Sequence, residues 1–113
     1  MEIKDLTTDG TYSHLALIGK LDIVGVGEIE NKFLGYTVAR KKNTILDLSG
    51  VTFMGSMGLR IFLSAAKPMQ LNGHKLILLN PSQMVKEVLE MSGISDIIPI
   101  ATDEAAAVAL AKA

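Results

Sequence analysis

Ile45-Leu46-Asp47-Leu48-Ser49-Gly50-Val51-Thr52-Phe53-Met54-Gly55-Ser56-Met57-Gly58-Leu59 is the stretch on which the reading of this chain turns. The run Thr44-Ile45-Leu46-Asp47-Leu48 predicts a strand, and the continuously apolar Leu15-Ala16-Leu17-Ile18 a strand covered on both faces. Ser49-Gly50 then predicts a turn-rich stretch. A helical period follows: Leu59, Phe62, Leu63 and Ala66 recur at i, i+3, i+4 and i+7, predicting a core-facing stripe on a helix over 57–71. Asn72-Gly73 supplies its C-terminal stop. A strand leading through a glycine-rich corner into an amphipathic helix is half of a parallel crossover unit.

The flanks repeat that unit. Residues 2–7 and 12–18 predict two strands, joined as a hairpin across Thr8-Asp9-Gly10. A helix follows over 24–41, with Val26, Ile29 and Phe33 on one face and Gly25, Gly27 and Gly35 weakening it. Downstream, residues 75–79 predict a buried strand, and Asn80-Pro81 an N-cap with proline at the first helical position. The helix so started buries Val85, Val88 and Leu89 and ends at Ser92-Gly93. A short strand over 97–100 and an alanine-rich helix from a Thr102 cap through Lys112 complete the chain. The order β-β-α-β-α-β-α-β-α predicts an α/β fold: a mixed β-sheet of about five strands with four helices.

The length of 113 residues predicts one domain spanning 1–113. Hydrophobic residues make up 49% and aromatics only 4%, so the core is aliphatic. Eleven basic against twelve acidic residues give a net charge of −1, and the only basic run is Arg40-Lys41-Lys42 with no aromatic interleaved. That balance argues against nucleic acid as a partner. The absence of cysteine excludes thiolate catalysis, disulfides and Cys-based zinc sites. His14 and His74 lie far apart, in no metal-ligand motif, and no cofactor is expected. No apolar run approaches the ~18 residues of a membrane span, and the acid-bearing start lacks a signal-peptide pattern. The expected location is cytoplasmic.

In an open α/β sheet, functional loops gather beyond the carboxyl ends of the strands. Those segments are Gly19-Lys20-Leu21-Asp22, residues 49–56 and Asn80-Pro81-Ser82. Gly50 and Gly55 have the spacing of a phosphate-binding loop, but Ser56 stands where its lysine belongs. A nucleophile elbow would need glycine where Met54 sits, and no acid–base partner for Ser56 is assignable. The chain is not expected to be an enzyme. Ser56 itself admits two readings: it caps the helix that starts near Met57, or it is a phosphorylation site beside a helix N-terminus that favours an anion. Met57 and Ile61, at i and i+4 beside Arg60 and Ser64, are expected to form an exposed contact patch opposite the buried stripe.

The stretch from Ile45 to Leu59 resembles the signature of STAS domains, in particular the small stand-alone anti-sigma factor antagonists. Gly19-Lys20-Leu21-Asp22 is similar to that family's Gly-x-Leu/Ile-Asp element, and Met91-Ser92-Gly93-Ile94 to its late helix-ending motif. The resemblance implies a partner-switching role: binding an anti-sigma factor that is also a serine kinase, release on phosphorylation of one serine, and restoration by a serine phosphatase. It places the phosphorylatable serine at Ser56 and an acid of the kinase-binding surface at Asp22, with Gly55 on the same surface. Where the family reads Asp-Ser-Ser/Ala-Gly-Leu, this chain reads Gly55-Ser56-Met57-Gly58-Leu59. The alternatives are a constitutive STAS scaffold, such as an accessory subunit of a transporter or sensory complex, and a nucleotide-binding domain.

Overall fold

The computed structural model describes residues 1–113. Strands β1 (Glu2–Asp5), β2 (Tyr12–Leu21), β3 (Asn43–Met54), β4 (Leu76–Leu79) and β5 (Ile100–Ala101) form one sheet in sequential order. β1 runs antiparallel to β2, and the remaining pairs are parallel. Helices α1 (Ile23–Thr37), α2 (Ser56–Leu71) and α3 (Gln83–Met91) are the three parallel crossovers, and α4 (Glu104–Lys112) closes the chain. Each crossover steps to the next strand in the same direction, so a single handedness puts α1, α2 and α3 on one face. The expected five strands and four helices are all present.

Alternation along the strands divides the core in two. Leu15, Leu46 and Leu78 stand in register and face α1–α3, where they meet Phe33, Phe62, Met69 and Leu89. Their neighbours Ile45 and Ile77 face the other way and pack with Leu79 and Ala101 against Ala107 and Ala111 of α4. Phe33 and Phe62, both fully buried, bring their ring centroids to 6.2 Å across the α1–α2 contact.

Several boundaries move, each for a local reason. β3 does not turn at Ser49-Gly50 but stays paired with β2 as far as Leu21–Met54. Two register shifts each absorb one extra β3 residue, so the glycine marks a bulge. Gly50 therefore lies inside a strand ladder, and the expected phosphate-loop spacing forms no loop. On α2, Phe62 and Ala66 are buried as expected, whereas Leu59 and Leu63 pack only partly buried at the edge of the core. Ile61 is the correction: it is 2% exposed, because α1 covers the flank of α2 that the sequence pattern leaves open. α1 ends at Thr37, whose hydroxyl donates to the Phe33 carbonyl, and Lys41 turns the chain at φ 55. Asn80 adopts φ 51 and leaves the α3 cap to Ser82, which accepts from Val85 N–H. Asp103 rather than Thr102 caps α4, and the last strand shortens to Ile100–Ala101 behind a 3-10 turn over Ile94–Asp96.

The amino ends of the parallel strands are tied by ion pairs. Arg40 pairs with Asp5, bonds Thr7 and lies 4.6 Å from the Tyr36 ring centroid, while Lys112 reaches Asp9 at 3.3 Å. The Arg40 guanidinium and then the Thr7 hydroxyl hold the Asp5 carboxyl well below the usual carboxylate range. The Thr11 hydroxyl and amide lower Asp9 to about 2.

Two outcomes are expected. Phe62→Ala should lower the free energy of unfolding by ~3–5 kcal/mol, read from urea midpoints, through lost burial and the cavity left beside Phe33. A carboxylate with a depressed folded pKa contributes stability that is present above its unfolded value and lost as pH falls through the folded one. Asp5→Asn should therefore be less stable than the parent at pH ~7, and the difference should shrink progressively below pH ~4.

Candidate functional site

The carboxyl ends of β2 and β3 are joined by one backbone bond. Leu21 pairs with Met54, and the Gly55 N–H donates to the Leu21 carbonyl at 3.1 Å. The corner opening α1 is thereby fixed to the corner opening α2. At the first corner Asp22 takes an extended backbone (φ −108) and its carboxylate accepts from the Gly25 N–H at 2.7 Å, capping α1. This close turn requires glycine at position 25, because a Cβ there would fall 1.9 Å from the Lys20 carbonyl oxygen.

At the second corner Gly55 is the cap and has no side chain to bond the helix amides. Ser56 is therefore the first residue of α2, not its cap, and its exposed hydroxyl is not engaged as one. Gly58 lets this first turn sit directly on the strand ends, since a Cβ there would lie 3.0 Å from Leu21 Cβ and 3.1 Å from Met54 Cγ.

The predicted site residues fall into two neighbouring groups. Asp22 and Gly55, both half-buried, flank the Leu21–Gly55 bond. Met57, Arg60, Ile61 and Ser64 line a cleft of about 110 Å³ between α1 and α2, completed by Val26 and Glu30. Arg60 and Ser64 are exposed, Met57 is half-buried, and Ile61 belongs to the cleft floor rather than to an exposed patch. The exposed apolar surface at this end of the sheet lies elsewhere: Ile23 and Val24 are 74% and 70% exposed, Phe53 44% and Met84 47%. Ile23 continues the buried α1 stripe of Val26, Ile29 and Phe33 one step too far. It stands at the start of α1, where nothing covers it, and this overrun of the stripe is the one signal the sequence held.

The surroundings hold little chemistry of other kinds. His14 sits in β2 opposite Ile45, seven residues from Leu21, or roughly 23 Å along the strand. Its Nε2 is buried without a partner, and it supplies no base to Ser56. No group of three or more metal-ligating side chains converges, and no helix is long and apolar enough to cross a membrane.

Residues 4–107 match the STAS domain family. The chain belongs to that family. As a STAS domain it is 29% identical over 100 residues to the anti-sigma-B factor antagonist of Listeria monocytogenes, covering 88% of this chain and 86% of that protein. Its fold is similar to that of an anti-sigma factor antagonist from Mycobacterium paratuberculosis, with a TM-score of 0.81 at 21% identity over 99% of this chain and 96% of the other. The anti-sigma factor antagonist SpoIIAA in its unphosphorylated form gives a TM-score of 0.73 at 24% identity, covering 93% of this chain and 92% of that one. The phosphorylated form of Bacillus SpoIIAA gives 0.71 at 23%, covering 96% and 99%.

Asp22→Ala should remove the α1 cap and lower stability by ~1 kcal/mol, whereas Asp22→Asn, an equally good cap, should retain most of it. Urea unfolding of the two variants beside the parent checks this.

Proposed function

We propose that this STAS domain is an anti-sigma factor antagonist that works by partner switching from the cytoplasm, the chain acting as one STAS unit. In this reading it binds an anti-sigma factor with serine kinase activity through the carboxyl-end surface around Asp22, Gly55 and the α1–α2 cleft. The kinase transfers the γ-phosphoryl group of ATP to Ser56 Oγ, releasing ADP and the hydroxyl proton, and the complex dissociates. A serine phosphatase then hydrolyses the ester, returning the serine and inorganic phosphate.

The observation that carries this reading is the placement of Ser56. It is exposed at the first position of α2, freed from capping by Gly55, and shares its end of the sheet with exposed Ile23, Val24 and Phe53. Exposed apolar residues beside a modifiable hydroxyl suit a contact that water exclusion drives and added charge breaks. Phosphate at this position also meets the positive end of the α2 dipole, which favours it by roughly 0.3 to 1 kcal/mol, so modification leaves the domain folded. The name of the Listeria relative and the two phosphorylation forms of SpoIIAA support the same reading. The absence of a phosphate-binding loop around Gly50 counts against the nucleotide-binding alternative.

Ser56→Ala should bind the kinase with or without ATP, while Ser56→Asp should bind poorly. A penalty of ~2.8 kcal/mol corresponds to a hundredfold loss, readable by titration calorimetry. The kinase is to be recovered by pull-down, then incubated with the domain and ATP, with phosphate mapped by mass spectrometry. Phosphate on another residue would remove Ser56 as the switch, and none while binding persists would assign the chain to the constitutive scaffold reading.

A further inference from the structure

We propose that Arg60 is a phosphate latch: once Ser56 is phosphorylated, the Arg60 guanidinium swings onto the phosphate and leaves the rim of the α1–α2 cleft. The inference rests on Ser56 being the acceptor and deepens that reading by assigning a residue to its regulation.

The chain has two arginines, and they are used very differently. Arg40 is committed to Asp5, Thr7 and the Tyr36 ring. Arg60 is exposed and takes part in no ion pair or cation–π contact. It lies four residues after Ser56 on α2, so the two side chains are surface neighbours, with Cβ atoms about 5–6 Å apart. Side chains on a helix lean toward its N-terminus, which aims Arg60 at Ser56 rather than away from it. The order, anion first and cation one turn later, is the favourable one for such pairs. A guanidinium also matches phosphate oxygens with two parallel N–H donors, a geometry lysine lacks.

The cleft gives the movement a consequence. Arg60 and Ser64 of α2 and Glu30 of α1 are its polar lining, and Glu30 is in no ion pair with Arg60. With Ser56 unmodified, the guanidinium is therefore free to meet an acidic side chain of the partner at this rim. Phosphate transferred from ATP to Ser56 Oγ, with ADP and a proton released, supplies a competing anion within the same helix. The switch then acts twice, adding negative charge and withdrawing a cation from the partner.

The test needs no kinase. Full-length chain carrying genetically encoded phosphoserine at position 56 is titrated by phosphorus NMR, as the parent, Arg60→Gln and Arg60→Lys. A neighbouring guanidinium favours the dianion and so lowers the second phosphate pKa from its usual value of about 6. The parent should titrate roughly 0.3 to 1 lower than Arg60→Gln, with Arg60→Lys between them. The Arg60 Nε–H resonance should shift on phosphorylation of the parent. Superimposable titration curves for the parent and Arg60→Gln, or an unmoved Nε–H signal, overturn the latch. Circular dichroism checks that the variants fold, and the Nε–H measurement stands without either variant. A latch that fails here and a kinase that modifies another residue are read in separate experiments, so the two failures are distinguishable.

Discussion

One backbone hydrogen bond, from the Gly55 N–H to the Leu21 carbonyl, sets the geometry on which this end of the molecule depends. It is made where the long β2–β3 ladder ends, immediately past the Leu21–Met54 pair. On one side the chain turns through Asp22 into α1, and on the other through Gly55 into α2. Each turn is tight because a glycine lets backbone meet backbone or strand: Gly25 against the Lys20 carbonyl, Gly58 against Leu21 and Met54. Parallel neighbours packed this closely bring two helix starts side by side. An anion on one is then felt by groups on the other.

Two of the three ion pairs share one end of the sheet, and the third joins the Met1 ammonium to Glu28 of α1 at 2.7 Å. Arg40–Asp5 and Lys112–Asp9 lie at the amino ends of the parallel strands, where β1, the β1–β2 turn and α4 meet. Asn43 ties two further segments there: it donates to the Ala111 carbonyl at 2.8 Å and accepts from the Lys75 N–H at 2.8 Å. At the carboxyl ends Arg60 and Glu30 are unpaired, and Ile23, Val24 and Phe53 are exposed. Surface ion pairs contribute little to stability, typically ~0–1 kcal/mol each, so leaving Arg60 and Glu30 unpaired costs the fold little. It keeps them available to a partner.

Much of this was legible in the residues, and the gaps share a cause. Element order, the hairpin and the stop signals followed from period and turn chemistry, because these are local. The strand continuing through Ser49-Gly50 was not legible: a bulge and a turn use the same residues, and only the presence of β2 alongside distinguishes them. Ile61 was misplaced for a related reason. An α2 that is apolar on most sides carries no mark of which flank α1 covers, and Gly58, Ala65 and Met69 define the true inward line. The cap positions at Gly55, Ser82 and Asp103 each differ by one or two residues from the sequence expectation, within the range over which neighbouring polar residues compete for one role. Asp22, Gly55 and Ser56 were expected from the family motif, and Arg60 from its place on the α2 helical projection. Glu30 and Val26 were not, since they reach the cleft from a different helix.

Gly55 is where the local motif and the wider fold have to be read together. The related pattern has an acid at this position, and an acid there would itself be a helix cap, accepting a hydrogen bond from the α2 amides. Nothing in the backbone forbids it: φ −105 suits any residue, and an added Cβ would make only ordinary contacts, with Phe53 Cε2 at 3.4 Å and Cζ at 3.6 Å and the Leu21 carbonyl oxygen at 3.9 Å. Glycine is thus not demanded by space or strain, and its effect is electrostatic. Without a carboxylate at position 55, the first amides of α2 are left to water or to an anion on Ser56, and no adjacent negative charge opposes that anion. The acid at the neighbouring corner is Asp22, already engaged with the Gly25 N–H. Substituting glycine for the acid therefore makes the phosphorylated form easier to hold while removing a charge from the surface a kinase would read. In this chain the cation needed to balance a phosphate on Ser56 comes from within α2 itself, at Arg60.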